Sequence, residues 1–194
     1  MIDRHLTGRH IILASQSPRR QYLLKELGLD FEVLEPNVNE VYPAGLQPPE
    51  IARYLAELKA ESLGEIFKDE RAIVITADTI VSLGDEILGK PSDHNEAERM
   101  LQKLSGRRHE VITAVCIQSL EKRKVFHVVS SVYFKVLTSE EIGFYIDNFR
   151  PFDKAGGYGV QEWIGYIGIE KIEGSYFNVM GLPVKELYEE LLKF

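Results

Sequence analysis

The chain has 194 residues, 44% of them hydrophobic and 27% charged, enough to bury a full core as one domain over 1–194 or as two closely packed lobes. Its net charge of -7 argues against a general binder of double-stranded nucleic acid, which needs a basic surface to displace counterions. A single cysteine excludes a disulfide framework, and no uninterrupted apolar run approaches the roughly 20 residues of a membrane span.

Met1 to His10 lacks the apolar core of a signal peptide, so the expected compartment is the cytoplasm. The short run Ile11 to Ala14 reads as a buried strand, and Ser17-Pro18 as an N-cap followed by proline at the first helical position. Tyr22, Leu23, Leu24 and Leu27 form the apolar stripe of this helix, with Gly28 just past its end. Arg19 and Arg20 therefore fall in the first turn, where the helix dipole disfavours cations while unpaired N–H groups attract phosphate or carboxylate. That placement suits either a phosphate cradle or a solvated basic turn.

Glu40 follows the mostly polar Pro36-Asn37-Val38-Asn39 and offers an oxygen ligand for a hard divalent cation. A helix is expected from about Pro49 to Phe67, with Ile51, Ala52, Leu55, Leu58 and Leu63 apolar and Lys59 among them. The strand Ala72 to Leu83 is interrupted by one acid, Asp78. A charge there must be paired, hydrogen-bonded or bound to metal, and a salt bridge, a metal site and a general base are all compatible with the pattern. Gly84 to Pro91 has the spacing of a Walker A loop, yet Pro91 replaces the hydroxyl residue that holds Mg²⁺; the stretch reads as a hairpin turning at Gly84-Asp85. Lys90 remains available as a point charge.

Asp93 and Glu96 have capping-box spacing before a helix carrying Ala97, Met100, Leu101 and Leu104, which Gly106 ends. His109 to Ser119 reads as a strand holding a buried, reduced Cys116, and Val125 to Val136 as its antiparallel partner. Thr138 and Glu141 form a second capping pattern ahead of Ile142, Tyr145, Ile146 and Phe149, and a last helix starts at Pro183. The loop Pro151 to Gln161 is glycine-rich and encloses Asp153-Lys154; Gln161 offers both a donor and an acceptor, which can match the imide edge of uracil or thymine. None of the five histidines has zinc-site spacing. Alternating helical and strand patterns predict an α/β fold, a mixed β-sheet flanked by helices.

Taken in order, Leu13-Ala14-Ser15-Gln16-Ser17-Pro18-Arg19-Arg20, Ala77-Asp78-Thr79, Leu88-Gly89-Lys90-Pro91, Leu104-Ser105-Gly106-Arg107, His109-Glu110-Val111-Ile112-Thr113, Asp153 to Gln161 and Val179-Met180-Gly181-Leu182-Pro183 resemble the Maf family of nucleoside triphosphate pyrophosphatases, in its dTTP/UTP branch. The resemblance implies an elongated sheet, two lobes around a central cleft, a fold similar to inosine triphosphate pyrophosphatases, and a homodimer. It implies hydrolysis of a nucleoside triphosphate between its α and β phosphates with Mg²⁺ or Mn²⁺, and extends to a housecleaning role on modified pyrimidine nucleotides. By position, Asp78 resembles the proton acceptor, and Arg19, Thr79 and Gln161 the pyrimidine-selecting residues; Ser15, Arg20, Glu40, Lys59, Lys90 and Lys154 match other cleft positions, with Glu40 and Asp78 as metal ligands. Asn39 departs from the aspartate that often precedes the glutamate. The rival reading is a nucleotide-binding regulator of septum formation and cell division with little turnover.

Overall fold

The computed structural model describes residues 2–194. In chain order the elements are α1 (Ile2–His5), β1 (His10–Ala14), α2 (Pro18–Glu26), β2 (Glu32–Leu34), α3 (Pro48–Glu61), β3 (Ala72–Leu83), β4 (Glu86–Leu88), α4 (His94–Leu104), β5 (Arg108–Gln118), β6 (Arg123–Phe134), α5 (Ser139–Phe149), α6 (Trp163–Gly168), β7 (Ile169–Glu173), α7 (Tyr176–Met180) and α8 (Val184–Leu191). Single 3-10 turns lie at Gly64–Lys68 and Ala155–Gly157. The strands pair in the order β2-β1-β3-β5-β6-β7, with β4 added to β3. β1 runs parallel to β2 and β3, whereas β3–β4 and β6–β7 are antiparallel, so the sheet is mixed as expected. No helix among the described residues is long and apolar enough to cross a membrane.

The chain divides into two compact units, the first comprising Met1–Asp78, Thr113–Val128 and Gly181–Phe194, the second Thr79–Ile112 and Val129–Met180. In the first, Ile12, Ala14, Ala72 and Val74 share one face of β1 and β3 and pack against Phe67, with Leu34, Leu63 and Ile66 at the edge. Ile11, Leu13, Ile73 and Ile75 on the opposite face are also buried, which is why these strands read as unbroken apolar runs rather than alternating ones. In the second unit, Val81, Leu83 and Leu88 meet Leu101 and Leu104 of α4 and Ile142, Tyr145 and Ile146 of α5.

Local signals located most boundaries. Asp93 Oδ1 accepts from the Glu96 backbone N–H at 2.8 Å, and Thr138 and Glu141 satisfy each other's backbone N–H groups at 3.1 and 2.9 Å. Leu83 pairs with Glu86 across Gly84-Asp85, confirming the hairpin, and Gly84 takes a φ of 63° that glycine adopts without a Cβ clash. Other details differ from expectation. Tyr22 is 55% exposed and lies off the buried stripe, which consists of Leu23 and Leu24. Ser17 stands at the N-cap, yet its side chain makes no cap bond; its N–H instead donates to Ser15 Oγ at 3.3 Å. The helix expected from Pro49 to Phe67 starts one residue earlier, where the Gln47 N–H donates to Glu50, and stops at Glu61 before the separate 3-10 turn.

His109, only 1% exposed, lies edge-on to Phe134 and Tyr158 and shares a 2.7 Å hydrogen bond with the Tyr158 hydroxyl. Burial pushes its pKa down to about 4, so the folded protein keeps it neutral where the unfolded chain has taken up a proton. The associated stability is therefore complete above the ordinary value of roughly 6.5 and is lost as pH falls toward about 4, on the order of 3 kcal/mol in all. Urea unfolding at about pH 7 and about pH 4 should show a smaller acid loss in His109→Asn than in the native chain; equal losses would remove His109 from the acid response.

Candidate functional site

In the first unit, the end of β1 leads through Ser15 into α2, whose first turn carries Arg19 and Arg20. Arg20 is partly buried and committed to the protein: Nε donates to the Gly181 carbonyl at 2.8 Å, and one terminal nitrogen donates to the Ala77 carbonyl at 2.8 Å and to Ser15 Oγ at 3.4 Å. It thus clips the chain just before Asp78 to the start of β1–α2 and to the Gly181 turn. Burial lowers the Arg20 pKa, against an opposing pull from Asp78.

Asp78 is 7% exposed at the last residue of β3 that belongs to this unit. Side chains two apart on a strand share a face, and that face is set by Thr76, whose hydroxyl donates to the Ala56 carbonyl of α3 at 2.6 Å. Lys59 lies three residues after Ala56, nearly one turn along the same helix face, so it meets Asp78 as Ala56 meets Thr76. Its Nζ is 2.5 Å from Asp78 Oδ1 and 2.9 Å from Glu40 Oε1. Lys59 is itself 7% exposed, while the Glu40 side chain is 44% exposed. Burial raises the Asp78 pKa above the ordinary carboxylate value; Lys59 and Arg20 pull it back, and Glu40 pushes it further up. The direction is a base that binds its proton more tightly than an exposed aspartate.

The second unit carries Thr79, Lys90, Lys154 and Gln161. Thr79 directly follows Asp78 on β3. Lys90 is exposed at the end of the hairpin that the Walker-like spacing conceals. Lys154 is buried, with Nζ 2.7 Å from Asp153 Oδ1 and 3.1 Å from Glu162 Oε1. Gln161 Oε1 is buried and has no hydrogen-bond partner among the described residues. An orphaned amide oxygen of this kind is unfavourable unless a donor arrives from elsewhere.

Direct contacts thus unite Ser15 with Arg20, and Lys59 with Asp78 and Glu40, while Lys154 joins an acid pair on the glycine-rich loop. Sequence reading missed Glu162 and its partner Tyr145, whose hydroxyl donates to Glu162. Nothing in the neighbouring sequence signals that acid, because its partner lies 17 residues away. Among the described residues no cluster of three or more His, Cys, Asp and Glu side chains forms a metal cage. Glu40 and Asp78, the two acids expected to hold a metal, converge on the Lys59 ammonium.

The Maf-like protein family profile matches residues 10–194, and the chain belongs to that family. It is 50% identical to a dTTP/UTP pyrophosphatase of Porphyromonas gingivalis, over 100% of this chain and 98% of that one. Relatives of the same name from Flavobacterium psychrophilum and Parabacteroides distasonis are 49% and 51% identical, over 99% and 95% of this chain and 98% and 95% of theirs. Among solved structures, the Staphylococcus aureus Ham1 protein aligns over 65% of this chain and 72% of its own, at 20% identity and a TM-score of 0.44.

Replacing Lys59 with Met keeps the stem and removes the ammonium, leaving Asp78 buried without its partner. Breaking a buried pair in this way costs about 3–5 kcal/mol. With only Arg20 left to oppose burial, the Asp78 pKa rises further, so the destabilisation is full above that raised pKa and fades as pH falls below it. Urea unfolding should show this loss near neutral pH, and adding Asp78→Asn to Lys59→Met should recover most of it. A double variant no more stable than Lys59→Met would mean that the pair is not what Lys59 supports.

Proposed function

We propose that the chain is a nucleoside triphosphate pyrophosphatase that hydrolyses dTTP and UTP to the monophosphate and pyrophosphate, acting as one catalytic domain over residues 1–194. The observation that carries this reading is the Lys59 ammonium joining buried Asp78 to Glu40, beside the arginine-bearing first turn of α2. Relatives that cover the whole chain at about half identity and bear the name dTTP/UTP pyrophosphatase support it.

Asp78 serves as the general base. It takes a proton from water while the water oxygen bonds to the α-phosphorus, and the bond from that phosphorus to the bridging oxygen breaks, releasing pyrophosphate. Burial suits Asp78 to the task by raising its basicity, and Lys59 keeps the carboxylate ionised between turnovers. Arg19 and Lys90 offset the charge that develops on the leaving group. Arg20, which also donates to Ser15, holds the backbone next to Asp78 through its bonds to Ala77 and Gly181.

Glu40 and Asp78 suit a divalent cation, Mg²⁺ or Mn²⁺, because such an ion is bound by one or two carboxylates with the remaining oxygens coming from water and substrate phosphates. When bound, it would neutralise phosphate charge. The nucleobase falls to Gln161, whose orphaned Oε1 accepts from an imide N–H while its amide donates to a ring carbonyl, with Thr79 and Arg19 completing the selection. A cytoplasmic location, a homodimer and a housecleaning action on modified pyrimidines belong to the same reading.

Asp78→Asn, nearly isosteric and unable to accept the proton, should lower kcat by about 10²- to 10⁴-fold in protein that circular dichroism shows to be folded, with Lys59 still paired to Glu40. The measurement is product analysis on UTP, dTTP, CTP and the purine triphosphates with Mg²⁺ or Mn²⁺. Pyrophosphate with UMP or dTMP, lost in the variant, is the expected result; orthophosphate would point to another hydrolase, and saturable binding without product to the regulator.

Gln161→Glu removes the amide donor and should lower kcat/KM for UTP and dTTP relative to other triphosphates by about tenfold or more. An unchanged ranking would take base selection away from Gln161.

A further inference from the structure

Outside the charged cluster of the first unit, the second unit holds a polar network around the glycine-rich loop, centred on Glu162. Tyr145 on α5 is fully buried, and its hydroxyl donates to Glu162 Oε2 while accepting from the Gly159 backbone N–H at 3.0 Å. The other oxygen of Glu162, Oε1, faces Lys154 Nζ at 3.1 Å. One carboxylate therefore ties the start of the glycine-rich loop, at Lys154, to its end, at Gln161-Glu162, and fastens both to α5.

The closeness of the fit shows at Gly159. A Cβ built there would lie 2.7 Å from Glu162 Cδ and 3.1 Å from Gln161 Nε2, so the absent side chain is what lets the Glu162 carboxylate and the Gln161 amide fold back over the loop. The turn is held again at Gln161, whose carbonyl accepts from the Tyr166 hydroxyl at 2.6 Å. Hydrogen bonds to an ionised carboxylate are about twice as strong as neutral ones, and partial burial limits the access of water to this one. Leaving the Gly159 N–H or the Glu162 carboxylate unmatched would carry a desolvation penalty, so the loop has a strong preference for this one arrangement.

We propose that Glu162, held by Tyr145, is a positioning residue that locks the loop from Lys154 to Gln161, aiming the Gln161 amide at the nucleobase and the Lys154 ammonium at phosphate. The inference rests on the reading that Gln161 meets the nucleobase and adds to it that Lys154, at a cleft position of the family pattern, meets phosphate. Glu162 and Tyr145 touch no substrate in it. They act by removing alternative loop conformations that a bound nucleotide would otherwise have to exclude.

The test uses steady-state kinetics of the full chain on dTTP and CTP, for Tyr145→Phe and Glu162→Gln, with Gln161→Ala as a control and circular dichroism to check the fold. A variant that merely unfolds part of the sample lowers kcat on both nucleotides alike and leaves their ratio untouched. The proposal expects KM to rise about 5-fold on CTP as Lys154 loosens and about 50-fold on dTTP, where Gln161 loosens as well, with kcat within about threefold, so that the dTTP-to-CTP ratio of kcat/KM falls about tenfold. If Tyr145→Phe fails to fold, Glu162→Gln, which keeps the shape of the side chain, carries the test alone. A native ratio in Glu162→Gln alongside a collapsed ratio in Gln161→Ala would overturn the positioning role and spare the base-reading role. A native ratio in Gln161→Ala would overturn both.

Discussion

The buried contact between Lys59 and Asp78 is the constraint on which the first unit depends. An ionised carboxylate near the centre of an apolar strand is destabilising unless a countercharge reaches it in good geometry. That demand fixes more than one side chain. It requires α3 to lie in register with β3, which the Thr76 hydroxyl secures by holding the Ala56 carbonyl one step earlier on both elements. It also requires the strand to stay in place at Ala77, whose carbonyl is gripped by Arg20 together with that of Gly181. Three elements distant in sequence are thus registered against one charge.

The two arginines of α2 illustrate how position within a single turn separates roles. Both sit where the helix dipole disfavours a cation. Arg20 overcomes this by donating to two backbone carbonyls and to Ser15 Oγ, an arrangement that suits a planar guanidinium with several fixed donors and that a lysine could not reproduce. Its charge helps to hold Asp78 ionised, and its hydrogen bonds stiffen the backbone around it. A motif read as two equivalent phosphate ligands therefore contains one residue whose visible work is internal.

Much of the fold was legible because its signals are local. The caps at Asp93 and Thr138 and the hairpin at Gly84-Asp85 depend on residues within four positions of one another. β2 and β7 were not foreseen. Glu32-Val33-Leu34 is three residues long and becomes a strand only by pairing with β1, while Ile169-Glu170-Lys171-Ile172-Glu173 is largely polar and pairs with distant β6. α6 carries Gly165 and Gly168, which weaken any helical signal; yet a Cβ at Gly165 would sit 2.0 Å from the Val160 carbonyl oxygen, so the poor helix former is required by packing. The candidate site divides in the same way. Asp78 announced itself as a charge in an apolar run, whereas Glu162 looks like any surface acid until α5 brings Tyr145 to it across 17 positions.

Burial and pairing act on Asp78 in opposite directions, and the balance between them bears on its proposed chemistry. Desolvation strengthens the base by making its protonated form easier to hold; Lys59 and Arg20 weaken it by stabilising the ionised form. Either effect alone would be a poor design. An unpaired buried aspartate would remain protonated and too weakly basic to take a second proton, and a fully solvated, well-paired one would hold a proton too loosely to assist attack by water. Glu40 adds a like charge that raises Asp78 further, and it does so from a more exposed position, where its own charge is cheaply hydrated. The ammonium set between the two acids offsets the repulsion between them, so the same lysine that lowers the basicity of Asp78 directly also tempers the rise that Glu40 imposes.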